Sequence, residues 1–138
     1  MLYNEAKIME VLRHKNIVKF NEAADSLDTF QYVMEFIGGI DLFEYVENNP
    51  LIPEEQASYI MKELFETVKY IHQSGIVHWD LKPENIMVVL DKKKKWIQSI
   101  KIIDFGLSCY FSDLETNKDK LVRCGTINYS APEVLDRT

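Results

Sequence analysis

The sequence has few of the features that mark secreted, membrane-spanning or nucleic-acid-binding proteins. Its two cysteines, Cys109 and Cys124, are too few and too unpatterned for a disulfide framework or a zinc site, so we expect reduced thiols. No apolar run approaches the 18 or so residues that a membrane span needs, and residues 1–5 lack the order of a signal peptide. These absences predict a cytoplasmic protein with no membrane partner.

Glycine, proline and excess positive charge are also scarce. The chain has five glycines and four prolines, and 46% of its residues are hydrophobic, which excludes collagen-like and disordered classes and predicts a globular domain. Its 16 Lys and Arg against 22 Asp and Glu give a net charge of −6, so there is no general basic face for nucleic acid. We therefore expect no nucleic-acid partner.

Apolar spacing predicts an alternation of helices and short strands. Helical periodicity is present over residues 5–12 and, after Pro53, over the stretch from Ala57 to Ile71, which ends at Gly75. A short amphipathic piece covers residues 41–46. Strands are predicted at five apolar runs: 17–20, 30–36, 76–77, 86–89 and 100–103. The first two should form an antiparallel pair joined by the polar stretch 21–29.

The lysine run 92–95 lies between two of the predicted strands. Short charge runs in such positions usually form the solvated tip of a hairpin. A docking patch is the alternative interpretation.

Three blocks carry the chemical information. They are His-Trp-Asp-Leu-Lys-Pro-Glu-Asn at 78–85, Asp-Phe-Gly at 104–106 and Ala-Pro-Glu at 131–133. In this order they resemble the catalytic loop, the magnesium loop and the end of the activation segment of eukaryotic protein kinases. The resemblance implies an α+β, kinase-like fold and transfer of the γ-phosphate of Mg-ATP to a protein hydroxyl.

The residue types in these blocks suit phosphoryl transfer, which needs positioning and charge neutralisation more than covalent chemistry. Asp80 would accept or orient the proton of the attacking hydroxyl, and Lys82 would steady the γ-phosphate. Asn85 and Asp104 offer the oxygen ligands that Mg²⁺ prefers. An isolated loop Asp or Asn more often caps a turn, but the three blocks together favour the catalytic interpretation.

The loop Asp-Leu-Lys-Pro-Glu-Asn resembles that of serine/threonine kinases, which implies a protein substrate with a Ser or Thr acceptor. Thr126 matches the family threonine that bonds the catalytic aspartate and lysine; a simple turn hydroxyl is the alternative. Glu5 looks like the helix glutamate that pairs with the phosphate-gripping lysine, and a surface glutamate is its alternative.

The resemblance also implies a nucleotide site. Met34 to Ile37 is similar to the hinge between the kinase lobes, with Met34 as gatekeeper and the backbone of Glu35 and Ile37 offered to adenine. Asp41 stands where the family often contacts ribose, and Met87 joins this ATP-binding set. Four residues would form the hydrophobic spine between the lobes, although each taken singly could be plain core: Met9, Phe20, His78 and Phe105.

The sequence departs from the family pattern at both ends. No Gly-x-Gly-x-x-Gly loop or Val-Ala-x-Lys strand precedes Glu5, and the sequence stops five residues after Glu133. We therefore expect a fragment, with a small-lobe remnant at 1–36 and the hinge and first half of the large lobe at 37–138. We expect it to be marginally stable and inactive alone. The alternatives are a non-catalytic binding or decoy module and a truncated gene model.

A further departure is Trp79, where most family members carry an arginine that receives an activation-loop phosphate. The usual phosphate-accepting position falls on Val122, which has no hydroxyl. Either this kinase is not switched on by phosphorylation there, or the gene is degraded. The run 117–120 and the segment ending at Leu135 look most like the calcium/calmodulin-dependent and calcium-dependent kinases, whose calcium-sensing part would lie outside this chain.

Overall fold

The computed structural model describes residues 2–26, 29–91, 93, 96–116 and 125–135. Its α-helices are α1 Leu2–Val11, α2 Leu42–Asn48, α3 Glu54–Gln73, α4 Phe111–Thr116 and α5 Pro132–Leu135. Its strands are β1 Phe20–Asp25, β2 Phe30–Met34, β3 Ile40–Asp41, β4 Ile76–Val77, β5 Ile86–Leu90, β6 Ile97–Ile102 and β7 Cys109–Tyr110. The mixture confirms the predicted α+β class.

The strands pair in three small antiparallel sets. β1 pairs with β2, β5 lies between β3 and β6, and β4 pairs with β7. The β5–β6 hairpin is closed by a hydrogen bond from the Asp91 N–H to the Trp96 carbonyl, at 2.8 Å. This confirms the predicted hairpin around the lysine run, although Lys92, Lys94 and Lys95 lie outside the described residues.

The first strand was placed wrongly by the sequence pattern. The antiparallel pairing is confirmed, but β1 covers Phe20–Asp25, so most of the predicted polar connection is strand. Only Phe20 of β1 is buried, which is why the strand shows no apolar alternation. The apolar residues Ile17 and Val18 are buried for another reason: they adjoin the end of β6, and the Val18 N–H donates to the Ile102 carbonyl.

Helix α3 is half-buried, as its periodicity predicts. Ile60, Leu64 and Ile71 face the core, whereas Met61 and Phe65 on the neighbouring row are exposed. The helix ends before Gly75, whose φ of 75° lies in the left-handed region that favours glycine. Within the described residues, no helix is long and apolar enough to cross a membrane.

A buried polar network holds the segment between α1 and β1 against helix α3. The Asn16 amide donates to the Glu63 carboxylate at 2.6 Å and to the Thr67 hydroxyl at 3.1 Å. The Asn16 carbonyl accepts the Ile102 N–H at the end of β6. Hydrogen bonds from Lys15 and Asn16 hold the pKa of Glu63 below its usual value. The network therefore ties α1, α3 and β6 together beside the candidate site.

Candidate active site

The centre of the candidate site is the carboxylate of Asp80, which lies on the loop after β4. The Lys82 ammonium is 2.8 Å from its Oδ2, while the hydroxyl and the backbone N–H of Thr126 donate to Oδ1 at 2.7 and 2.9 Å. Lys82 Nζ also donates to Thr126 Oγ1 at 2.8 Å. Asp80, Lys82 and Thr126, which are up to 46 positions apart in sequence, therefore meet as the resemblance implied.

This arrangement keeps Asp80 ionised. Burial raises the pKa of its carboxyl, but the hydrogen bonds from Lys82 and Thr126 outweigh burial and leave the pKa below its ordinary value. In return, the hydrogen bond to Asp80 raises the pKa of Lys82. The result is a charged acceptor beside a charged donor, a suitable pair for orienting a hydroxyl next to an anionic group.

Asn85 is positioned by the short 3₁₀ turn Pro83–Asn85. Its side-chain amide donates to the Asp80 carbonyl at 2.9 Å and to the Asp80 carboxylate at 3.3 Å, so it braces the loop. The backbone carbonyl of Asn85 accepts the N–H of Ile103, the residue before Asp104. The backbone therefore brings Asn85 and Asp104 to neighbouring positions at the ends of β5 and β6.

These two residues fit a Mg²⁺ site. The Asn85 amide nitrogen is directed to Asp80, which leaves its oxygen as a ligand; one Asp104 oxygen accepts the Gly106 N–H at 2.8 Å, and a carboxylate has a second. The described part of the chain contains no group of three or more His, Cys, Asp or Glu that could hold a metal. One carboxylate and one amide match Mg²⁺, which usually binds through few protein ligands together with substrate phosphates.

His78 and Phe105 form the apolar floor of the site. The two rings are 4.9 Å apart, and both side chains are buried. The Nε2 atom of His78 is buried without a hydrogen-bond partner among the described residues. Burial therefore lowers the pKa of His78 to about 4, against the opposing charges of Asp104 and Asp80.

The neutral His78 predicts that the chain loses stability as the pH falls from about 6.5 to about 4. The unfolded state binds a proton in this window and the folded state does not, so the full contribution is present above the unfolded pKa and lost towards the folded one. The shift corresponds to about 3 kcal/mol. Urea denaturation across this range in EDTA, with His78→Gln and with the exposed His72→Gln as matched control, measures it. If the free energy of unfolding falls as steeply with pH in His78→Gln as in the wild type, the lowered pKa of His78 is contradicted.

The chain matches the protein kinase domain model over residues 1–138. It belongs to the protein kinase domain family. A PAS domain-containing serine/threonine-protein kinase of Mus musculus is 41% identical over 132 residues, which cover 95% of this chain and 9% of that protein. A probable myosin light chain kinase of Dictyostelium discoideum is 39% identical over 132 residues, 96% of this chain and 32% of that protein. The kinase chain therefore spans about a third of the second relative and under a tenth of the first.

Glu5 of this kinase chain is buried and points at the magnesium loop. A Cβ added at Gly106 would lie 3.8 Å from Glu5 Oε2, so the carboxylate lies close to that loop. Burial, together with the charge of Glu5 and a hydrogen bond to it, raises the pKa of Tyr32 to about 12. The interpretation of Glu5 as a surface residue is therefore wrong. Tyr32 was missed, because a tyrosine in a strand gives no sequence signal beyond strand propensity.

The predicted hinge runs from Met34, the last residue of β2, into the segment that leads to β3. The backbone N–H of Glu35 donates to the Lys19 carbonyl, and its carboxylate pairs with Lys101, so Glu35 is anchored to the neighbouring strands. Asp41 pairs with Met87 across β3 and β5, which makes these two predicted nucleotide residues direct neighbours. Asp41 also caps α2 by accepting the Glu44 N–H. Asp41 thus has a structural task besides any contact with ribose.

Two of the sequence predictions concern residues beyond those described. Val122, the position of the missing phosphate acceptor, and the run 117–120, which resembles calcium/calmodulin-dependent kinases, both lie outside the described ranges. They stay predictions.

Proposed function

We propose that this chain forms the catalytic-loop part of a serine/threonine protein kinase, which transfers the γ-phosphate of Mg-ATP to a Ser or Thr hydroxyl of a protein substrate. The observation that supports it most is the Asp80 carboxylate held between Lys82 and Thr126. That arrangement places a proton acceptor and a cation side by side, which is what an in-line transfer between two oxygens requires.

In this mechanism the protein supplies positions and charges. Asp80 hydrogen-bonds the attacking hydroxyl and receives its proton as the new oxygen–phosphorus bond forms and the bond from the γ-phosphorus to the bridging oxygen breaks, which releases ADP. Lys82, now paired with Asp80, also contacts an oxygen of the transferred group and offsets its negative charge. When bound, Mg²⁺ neutralises charge on the phosphates, and Asn85 and Asp104 are the residues that would hold it.

The nucleotide would lie along the hinge. The adenine would contact the backbone of Glu35 and Ile37 beside the gatekeeper Met34, and Asp41 and Met87, already adjacent, would line the ribose and adenine. Glu5 would complete the phosphate side. These assignments follow the family resemblance and the proximity of the residues to one another.

Membership of the calcium/calmodulin-dependent group is a finer proposal, as is a cytoplasmic location. Membership of the group rests on the likeness of residues 117–120 and of the end of the activation segment to those kinases. The calcium-sensing part would lie outside this chain. Phosphotransfer by a complete kinase domain that contains this segment, if it did not respond to Ca²⁺ and calmodulin, would remove the support for calcium regulation.

Calorimetry of ATP binding to the 138-residue chain tests the proposed site. We expect Mg²⁺-dependent binding that weakens by about 10- to 100-fold in Asp104→Asn, because a ligand loses its charge while its shape is kept. Asp25→Asn, on the exposed side of β1, is the matched control and should bind like the wild type. A folded chain that binds no Mg-ATP, or binds it equally well in Asp104→Asn, would argue against the site.

A further inference from the structure

Trp79 has an unusual backbone next to the central carboxylate. Its φ is 67°, and among the residues that the structure describes no other non-glycine residue has a positive φ. A bulky side chain seldom adopts this conformation, which persists only where the surroundings hold it in place. Some contact of Trp79 must therefore stabilise it, and Asp80 follows directly in the chain.

The side chain of Trp79 provides one such contact. Its indole Nε1 donates to the Cys109 sulfur at 3.2 Å. Cys109 belongs to β7 and pairs with Val77 of β4, only two positions before Trp79. Beside this pair, the Ser108 hydroxyl donates to the His78 carbonyl at 3.1 Å. These hydrogen bonds connect residues 108 and 109, at the start of the activation segment, to residues 78 and 79 of the catalytic loop, immediately before Asp80.

The backbone of Trp79 provides the second contact. A Cβ at Gly125 would lie 2.7 Å from the Trp79 carbonyl oxygen, so only glycine fits at this approach, and its φ of 102° also requires glycine. Gly125 precedes Thr126, whose N–H and hydroxyl donate to Asp80. Trp79 therefore touches both segments that must stay in register around the Asp80 carboxylate.

We propose that Trp79 is a positioning residue, whose indole, fastened to the Cys109 sulfur, sets the loop conformation that presents Asp80 to Lys82 and Thr126. We name this contact the Trp79–Cys109 clasp. The contact involves no phosphate group on the activation segment, in contrast to the arginine that most family members carry at this position, which receives one. As far as it concerns catalysis, the inference rests on the proposed kinase function.

The consequence for the site is geometric. Two donors of Thr126 converge on one Asp80 oxygen within 2.9 Å, and hydrogen bonds of this kind weaken steeply when the angle or distance changes. Rotating the backbone at residue 79 would move the carboxylate away from both donors. A misplacement of about 1 Å at a reacting group can cost about 100-fold in rate.

Three variants separate the clasp from simple packing. Trp79→Phe keeps an aromatic ring but removes the N–H donor, and Cys109→Ala removes the acceptor. Cys109→Ser keeps an acceptor of similar size and is the conservative rescue. Trp96→Phe, at a more exposed tryptophan on the β5–β6 hairpin, is the matched control.

The first readout does not depend on activity. The Thr126 backbone amide donates to Asp80 Oδ1, so its proton resonance in NMR reports the position of the carboxylate. We expect this resonance to move upfield in Trp79→Phe and Cys109→Ala, and to stay near its wild-type position in Cys109→Ser and Trp96→Phe. If Trp79→Phe does not fold, the two Cys109 variants supply the same comparison.

The second readout is the division between kcat and KM. Because the chain alone is expected to be inactive, kcat is measured in a complete kinase domain that contains this segment. There we expect kcat to fall by about 10- to 100-fold in Trp79→Phe and Cys109→Ala with little change in KM for ATP, because the clasp lies on the Asp80 side of the site. An unchanged Thr126 resonance in both variants would overturn the proposal, as would an unchanged kcat. A complete domain without phosphotransfer but with the expected shifts of Thr126 would refute the proposed function and leave the clasp supported.

Discussion

In a complete kinase domain that contains this segment, Asp80→Asn is expected to lower the kcat of phosphate transfer to a Ser or Thr peptide by about 100- to 10,000-fold, the usual contribution of a general base. Asparagine keeps the size of the side chain but cannot take the proton of the attacking hydroxyl. It also removes the negative charge that holds Lys82 at 2.8 Å. The KM for ATP should change little, because Asp80 acts on the acceptor hydroxyl.

Steady-state transfer of labelled phosphate, with the variants purified in parallel, measures this effect. Asp25→Asn makes the same chemical change on an exposed strand and should leave the rate as in the wild type. Circular dichroism shows whether each variant is still folded. A folded Asp80→Asn that keeps the wild-type kcat would mean that Asp80 is not the proton acceptor.

The proposed catalytic residues could be recognised in the sequence because their chemistry is concentrated in short blocks. Asp80, Lys82 and Asn85 lie within six positions, and a loop of that length allows few arrangements, so their mutual contacts follow from local geometry. Thr126 is distant in sequence, and only the family resemblance pointed to it. The structure then brings its hydroxyl to 2.7 Å from Asp80.

What the sequence could not show are contacts that depend on the approach of separate segments. The indole of Trp79 and the sulfur of Cys109 are 30 positions apart, and Cys109 was interpreted only as a reduced thiol. The pairing of β4 with β7 brings them together. A strand was predicted at β4 but not at β7, because a two-residue strand is too short to give a periodic signal. Strand β1 was missed for a related reason, since its side chains are exposed and polar.

The buried network around Asn16 illustrates the same limit. Its polar side chain is 3% exposed, yet polarity in a sequence normally predicts a solvent-facing loop. The residue is buried because Glu63 and Thr67, one helical turn apart on α3, both receive its amide protons. Partners that satisfy a buried polar group are visible only once the helix and the loop are in contact.

Phe105→Ala is expected to lower the free energy of unfolding by about 3–5 kcal/mol, the range for removing a large buried aromatic side chain. Phe105 is fully buried and its ring contacts His78, so truncation leaves a cavity between the catalytic and magnesium loops. The free energy of unfolding of a typical domain is about 5–15 kcal/mol, so this loss is a large fraction of the total stability.

Phe36 offers the matched control, because its side chain is 94% exposed and Phe36→Ala should change stability by less than about 0.5 kcal/mol. Urea denaturation followed by circular dichroism compares the two, with Phe105→Leu to separate lost volume from lost aromatic contact. Equal stability of Phe105→Ala and the wild type would show that the ring is not part of the core. We expect Phe105→Ala to unfold at low urea and Asp80→Asn to unfold near the wild-type concentration. That result would assign stability to Phe105 and chemistry to Asp80, 25 positions apart in the chain. The ring of Phe105 would then hold the magnesium loop against the catalytic loop without taking part in proton transfer.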